Sequence, residues 1–264
     1  MKHDVRRFFD IEKINQNFKL VIADFDQINR IIDCKRDKFD SLIAGNMLHA
    51  YNHINNRLAS TPDKALLSWK DMLELNIIVH LGIRPEARNE YYSFIRHTEE
   101  RFAAQLPSLM KWYERHEYHE ADPYKIAAGL YVRVLAQPQL FVEGNHRTGS
   151  LIADYYLLIK GKDPFVLTPH NAVEFFNLAS EVKFKKNDIG SRFKRAIGWH
   201  DELARMRTFL EASAQPFTTD VMPQWTPEPY EDQESRNILR MFGKHRIFTY
   251  QNKYSENNDG APEC

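Results

Sequence analysis

Gln139-Leu140-Phe141-Val142-Glu143-Gly144-Asn145-His146-Arg147-Thr148-Gly149 is the stretch on which the reading of this chain turns. One carboxylate, a Gly-Asn turn and an arginine stand directly before the apolar, helix-like run Leu151 to Ile159. A tight turn feeding a helix N-terminus presents free backbone N–H groups and the positive end of the helix dipole, which makes a ready anion site. Glu143 is a hard oxygen ligand suited to magnesium, and Arg147 offers the forked donors that grip a phosphate. The pattern points to phosphate handling, with a nucleotide as the expected ligand. Nothing basic stands at the entrance of the stretch, where Gln139 lies.

Helical periodicity dominates on both sides, and glycine is sparse, at ten in 264 residues. Upstream, Asp122-Pro123 is an N-cap and N1 pair for a helix through Leu135, which Pro138 ends. Downstream, a helix from about Thr148 to Lys160 closes at Gly161, followed by helices over Pro169 to Phe184 and Asp188 to Ala212. Earlier in the chain, Lys38 to Arg57 reads as a helix. Another, capped at Asp63 or Ser68, carries Trp69, Met72, Leu73, Ile77 and Leu81 and stops at Gly82. Asn89 to Arg96 is less regular and reads as a short strand or hairpin, and Pro107 to Arg115 as a helix start. Pro216 to Pro229 holds four prolines and reads as a connector, before a last short helix over Glu231 to Phe242. The expected fold class is mainly α with one possible small β-hairpin.

Ile11, Ile14, Phe18, Val21, Phe25, Ile28 and Ile32 alternate three and four apart, a heptad seam of roughly three heptads. Two readings fit it: a helix lying on the main core, or a coiled coil joining two copies of the chain. Lys+Arg and Asp+Glu are both 36, a balance that argues against a general nucleic-acid binder. The two cysteines, Cys34 and Cys264, are far apart, so neither a disulfide framework nor a cysteine-based zinc site is expected. No stretch approaches the ~20 apolar residues of a membrane span, and no apolar N-terminal leader is visible. A cytoplasmic protein with a disordered tail over residues 250–264 is the expectation.

In the central stretch the chain resembles the Fic (Fido) family. Its members carry, between two core helices, a loop reading His-Pro-Phe-x-Asp/Glu-Gly-Asn-Gly-Arg-Thr-Gly-Arg. Phe141, Glu143, Gly144, Asn145, Arg147, Thr148 and Gly149 match this pattern in register and without a gap. Leu106 to Trp112 is similar to the segment before those helices, and Asn89 to Arg96 sits where the family places a substrate-aligning β-hairpin flap. The resemblance implies a Fic-like core over about residues 75–185, an N-terminal helical extension over 1–74 and a C-terminal one over 186–249. It also implies a reaction, the transfer of AMP or another phosphate-containing group from a magnesium nucleotide to a hydroxyl of a target protein or small molecule. Under it, Glu143 is the metal ligand, and Gly144, Asn145, Arg147, Thr148 and Gly149 belong to the cradle for ATP or another nucleotide. Phe141 is a core anchor that fixes the loop.

The departures carry equal weight. Gln139 stands where the family has its general-base histidine, and a neutral amide accepts no proton at pH 7. Such assistance is typically worth ~10²–10⁴-fold, so ordinary AMP transfer is expected to be slow or absent. Ser150 replaces the second arginine. His146 replaces the second glycine of the turn, where it is a candidate displaced base, phosphate contact or loop-closing hydrogen-bond partner. Ser41-Leu-Ile-Ala-Gly45-Asn46 is similar to the family's inhibitory helix, with Gly45 where the blocking glutamate belongs. Two functions follow as expectations: a divergent transferase, or a catalytically weak nucleotide-binding or interaction protein. Other clusters are weaker. His116 and His119 are three apart, not the four of a His-Glu-x-x-His zinc site, and His200-Asp201 is a lone His-Asp pair.

Overall fold

The heptad seam residues Ile11, Ile14, Phe18, Val21, Phe25, Ile28 and Ile32 are all buried, none more than 4% exposed. They lie along α1 (Ile11–Ile31) and at its C-cap, and they belong to the chain's own hydrophobic core. The surface a coiled-coil dimer would use is thus covered within one copy. Asp10 starts the helix by accepting from Lys13 N–H at 3.1 Å, and Glu12 and Arg30 sit at the ends that their charges favour.

The computed structural model describes residues 7–60, 65–120, 122–184 and 200–226. Those up to Trp225 belong to one compact unit. After α1 come α2 (Ser41–Ser60), α3 (Trp69–Leu81), α4 (Pro85–Glu90), α5 (Tyr92–Glu117), α6 (Pro123–Leu135), α7 (Asn145–Ile159), α8 (Ala172–Phe184) and α9 (His200–Ala212). Among the described residues the fold is therefore mainly α. Ser68 caps α3 by accepting from Asp71 N–H, and Gly82, with φ 74°, ends it. Asp122 and Pro123 open α6 as expected. The expected helix over Glu231 to Phe242, the tail, Cys264 and all of Asp188 to Trp199 lie outside the described residues.

No helix among the described residues is long and apolar enough to cross a membrane.

The expected hairpin over Asn89 to Arg96 and the expected helix start at Pro107 are both corrected. Asn89 to Arg96 forms no hairpin: Pro85 at the first helical position opens α4, and α5 runs from Tyr92 straight through Pro107. The aromatic, β-branched Tyr-Tyr-Ser-Phe-Ile run looks strand-like in isolation. Thr98, Phe102 and Leu109, all buried, continue a helical stripe that outweighs it. Pro107 is tolerated inside α5 although it removes the amide that would bond the carbonyl of Ala103. The one two-stranded sheet among the described residues joins distant parts of the chain instead. Phe8–Phe9 (β1) pairs antiparallel with Thr218–Thr219 (β2), and Asn55 brackets Phe9, accepting from its N–H at 2.8 Å and donating to its carbonyl at 2.9 Å.

The site rests on α5, α6 and α7, which pack closely because glycines face bulky partners. A Cβ on Gly129 of α6 would stand 2.0 Å from Trp112 of α5, and one on Gly149 of α7 would stand 3.3 Å from Tyr131 and Val134 of α6. Deep in α7, Asp154 is fully buried and accepts from Phe165 N–H at 2.8 Å, while its Oδ2 makes no hydrogen bond. Burial pushes this carboxyl well above the usual range, so it is held as the neutral acid. The folded state then keeps a proton that the unfolded chain releases, and stability falls as pH rises from the unfolded value toward the folded one. Asp154→Asn keeps the acceptor without the titration. Its thermal midpoint should gain on wild type between about pH 5 and about pH 8; a constant gap over that range would mean the carboxyl is already ionised.

Candidate functional site

The loop between α6 and α7 is built by side chains that hold its own backbone. Asn145, 4% exposed, accepts from Phe141 N–H at 2.9 Å and donates to the Phe141 carbonyl at 3.0 Å, closing the turn on itself. Phe141 is fully buried and stacks on Phe102 of α5, ring centroids 5.2 Å apart. Gly144 takes the left-handed conformation, φ 74° and ψ 8°, as the N-cap of α7. A Cβ there would come to 3.0 Å from Nδ2 of Asn76. That amide of α3 donates to the Glu143 carbonyl at 2.8 Å and to Thr148 Oγ1 at 3.0 Å.

The helix therefore begins three residues before the expected Thr148. Its ladder opens with Thr148 N–H on the Gly144 carbonyl at 2.9 Å, which places Asn145, His146 and Arg147 in the first turn, where helix amides lack intrahelical acceptors. The loop brings the expected residues together along the chain but turns them to different sides. Glu143 is exposed and Gln139 half-buried. Thr148 and Gly149 are buried, the first on Asn76 and the second against α6, so both serve packing. Arg147 reaches α3 and donates from Nη1 to the Val79 carbonyl at 2.8 Å. Burial lowers its guanidinium from the usual value, and Glu143, Asp40 and Asp37 act against that shift. Ser150 donates to the Arg147 carbonyl at 2.9 Å.

His146 is the most constrained of the group. Arg36, in the connection between α1 and α2, lies 3.2 Å from its Nε2, and the Tyr131 hydroxyl 3.2 Å from its Nδ1. A guanidinium only donates, so Nε2 accepts and Nδ1 carries the proton, donated to the Tyr131 oxygen. Burial, with Arg36, Lys183 and Arg147 beside it, drives the imidazole well below its ordinary value and keeps it neutral. Arg36 is itself held on α8, donating to the Phe176 carbonyl at 3.1 Å and to Ser180 Oγ at 2.6 Å, with the Phe176 ring 5.6 Å away. Arg36, Asn76, Tyr131 and Ser180 are site residues that sequence reasoning did not single out. They come from four separate segments, and no local spacing announces them.

A magnesium ion has few partners in this loop. No group of three or more His, Cys, Asp or Glu side chains able to hold a metal occurs among the described residues. Glu143 alone suits a magnesium that arrives bound to phosphates, which commonly takes only one or two protein carboxylates, and not a resident ion. The His116 region is no metal centre either: His116 donates from Nδ1 to the Trp112 carbonyl at 2.8 Å, and Glu120 pairs with Lys125 at 2.5 Å. The side chain of His200 lies outside the described residues. One cavity, about 150 Å³, reaches Gln137, Pro138 and Leu140 beside Gln139. Another, about 480 Å³, lies between α2, α3 and α4.

Compared with known proteins, the chain matches no family model and no curated protein.

Two predictions test this geometry. Asn145→Ala removes both partners of a buried backbone pair and should destabilise the fold by about 2–4 kcal/mol, against about 1 kcal/mol for Thr148→Val. Urea denaturation of the two variants measures the difference, and equal losses would deny the Asn145 clamp. The second concerns acid. Burial, with Arg147 nearby, lowers His80 to about 3, whereas the unfolded chain takes up that proton near ~6.5. The stability this neutral ring contributes is thus present above ~6.5 and is lost as pH falls toward about 3. His80→Gln should lose less stability than wild type between about pH 7 and about pH 5, read as the shift in urea midpoint.

Proposed function

We propose that this chain is a Fic-like protein that is catalytically weak or inactive and works as a nucleotide-binding or interaction module. The observation that carries the reading is the state of His146. With Gln139 at the entrance, His146 is the histidine the loop has, and both of its ring nitrogens are engaged, Nε2 by Arg36 and Nδ1 by Tyr131. A neutral imidazole whose lone pair already accepts from a guanidinium is no general base until that contact opens. Arg147, which would hold phosphates, has one of its donors on Val79. The segment that would be an aligning flap is helical.

What remains supports ligand binding better than turnover. The α7 N-terminus keeps its first-turn amides and dipole, Lys183 and Arg147 lie near Glu143, and Glu143 itself is exposed. When bound, magnesium would neutralise phosphate charge beside Glu143. The chain's own contribution would be to seat an anion on the turn.

The second reading, a divergent transferase acting on a protein or small-molecule hydroxyl, is favoured by the exposed Glu143 carboxylate, the one position of the loop pattern left facing solvent. Two measurements separate them. Calorimetric titration of ATP with magnesium into wild type and Glu143→Ala should show binding that weakens in the variant. Incubation with α-labelled ATP should give no self-labelling by wild type. Label incorporated by wild type would favour the transferase, and the absence of any heat in either titration would reduce the loop to an interaction surface.

A further inference from the structure

The cavity beside Gln139 lies between α5 and the C-terminal end of α6, with Leu203 of α9 on its wall. Among the described residues its lining holds a single charged side chain, Arg133. The guanidinium carbon lies over the Trp112 ring, 4.9 Å from the centroid. Trp112 is itself fixed. His116 stacks on it at 4.7 Å, and the edge of its six-membered ring fills the space that Gly129 leaves, where a Cβ would stand 2.0 Å away. A cation held against an aromatic face keeps its N–H donors for another partner. None of those donors is spent, because Arg133 makes no hydrogen bond and no ion pair with a described residue. The side chain is exposed, so the donors can be reached from solvent.

Gln105, Ser108 and Gln137 stand around the same opening, and their side chains likewise make no hydrogen bond with a described residue. They add donors but no charge. The lining therefore selects by charge. A cation would meet only Arg133 and be repelled, and a dianion would bring more charge than one guanidinium answers. A monoanion whose two oxygens match the guanidinium fork is a carboxylate. Size and surface narrow it further. The volume of about 150 Å³ has room for about one benzene-sized ring. Ala136 and Leu203, both half-buried, and the exposed Pro138 offer apolar atoms that such a ring can touch.

We propose that this cavity binds a small aromatic monocarboxylate of the benzoate class, its carboxylate on Arg133 and its ring against Ala136, Pro138 and Leu203. The site uses neither Glu143 nor the α7 N-terminus. It stands or falls apart from the nucleotide reading, which the ATP titration tests by itself.

The test is saturation-transfer NMR on the full chain with benzoate, benzamide and acetate, each titrated through millimolar concentrations. Benzoate should receive saturation. Benzamide, which keeps the ring without the charge, and acetate, which keeps the charge without the ring, should each bind about tenfold more weakly. Arg133→Gln should weaken benzoate about tenfold, and Arg133→Lys, which keeps the charge and loses the fork, by less. Arg133 is exposed, so both variants should fold. Four outcomes would overturn the proposal: no transfer to benzoate, benzamide or acetate binding as well as benzoate, displacement of benzoate by an equal concentration of inorganic phosphate, or benzoate binding that Arg133→Gln leaves unchanged.

Discussion

One side chain organises the centre of this molecule. The carboxamide of Asn145 answers both backbone groups of Phe141, four residues earlier, and so ties the end of the loop to its beginning. With that pair made, Phe141 is placed in the core on Phe102, Gly144 is driven into the left-handed region, and α7 must begin at Asn145. The orientation of the first helical turn then follows. Thr148 faces Asn76 on α3, Arg147 reaches the Val79 carbonyl, and His146 points between Arg36 and Tyr131. Buried backbone groups must find partners, and here one amide satisfies a donor and an acceptor together. A smaller residue at 145 would leave both without a partner.

The electrostatics of the interior are consistent with that geometry. His146 stands near three cationic side chains, Arg36, Lys183 and Arg147, and stays neutral because burial and their fields together oppose a further positive charge. Asp37, Asp40 and Glu143 counter the cations from the rim. Asp154, with no cation beside it, meets the same burial by keeping its proton. The two residues show one rule in opposite directions: a titratable group taken from water without a partner of opposite charge settles in its neutral form. For His146 this has a chemical consequence, since the neutral ring is the form that could act as a base, and the Arg36 contact is what withholds its lone pair.

Local signals were legible in the sequence wherever a short-range rule governs the backbone. Ser68 and Gly82 bound α3, Asp122-Pro123 opens α6, and Gly161 follows α7 because capping and left-handed turns depend on neighbours in the chain. The α1 seam was legible as a pattern, but its spacing alone did not say whether the buried face met the chain's own core or a second copy. Asn89 to Arg96 was misread because β-branched and aromatic residues describe a preference, whereas the apolar stripe through Phe102 and Leu109 is set by the surface α5 covers. In the site, the anchoring of Phe141 was legible. The partners of Asn145, Arg147 and His146 were not, because Arg36 lies 110 residues from His146 and Asn76 lies 72 from Thr148.

The residues that make the loop look chemical are largely those that hold it up. Asn145 closes the turn, Thr148 and Gly149 pack it, and the Arg147 guanidinium bridges to α3. Most side chains of the loop therefore serve its folding. Gln139 is half-buried, with no folding role evident in its contacts. Glu143 contributes its carbonyl to the scaffold, and its carboxylate stays in solvent. Conversely, the connection between α1 and α2 supplies Arg36, which reaches the loop through His146 and α8 through Phe176 and Ser180. That contact ties the loop to a distant part of the chain, so the state of His146 depends on the segment between α1 and α2 as much as on the loop that contains it.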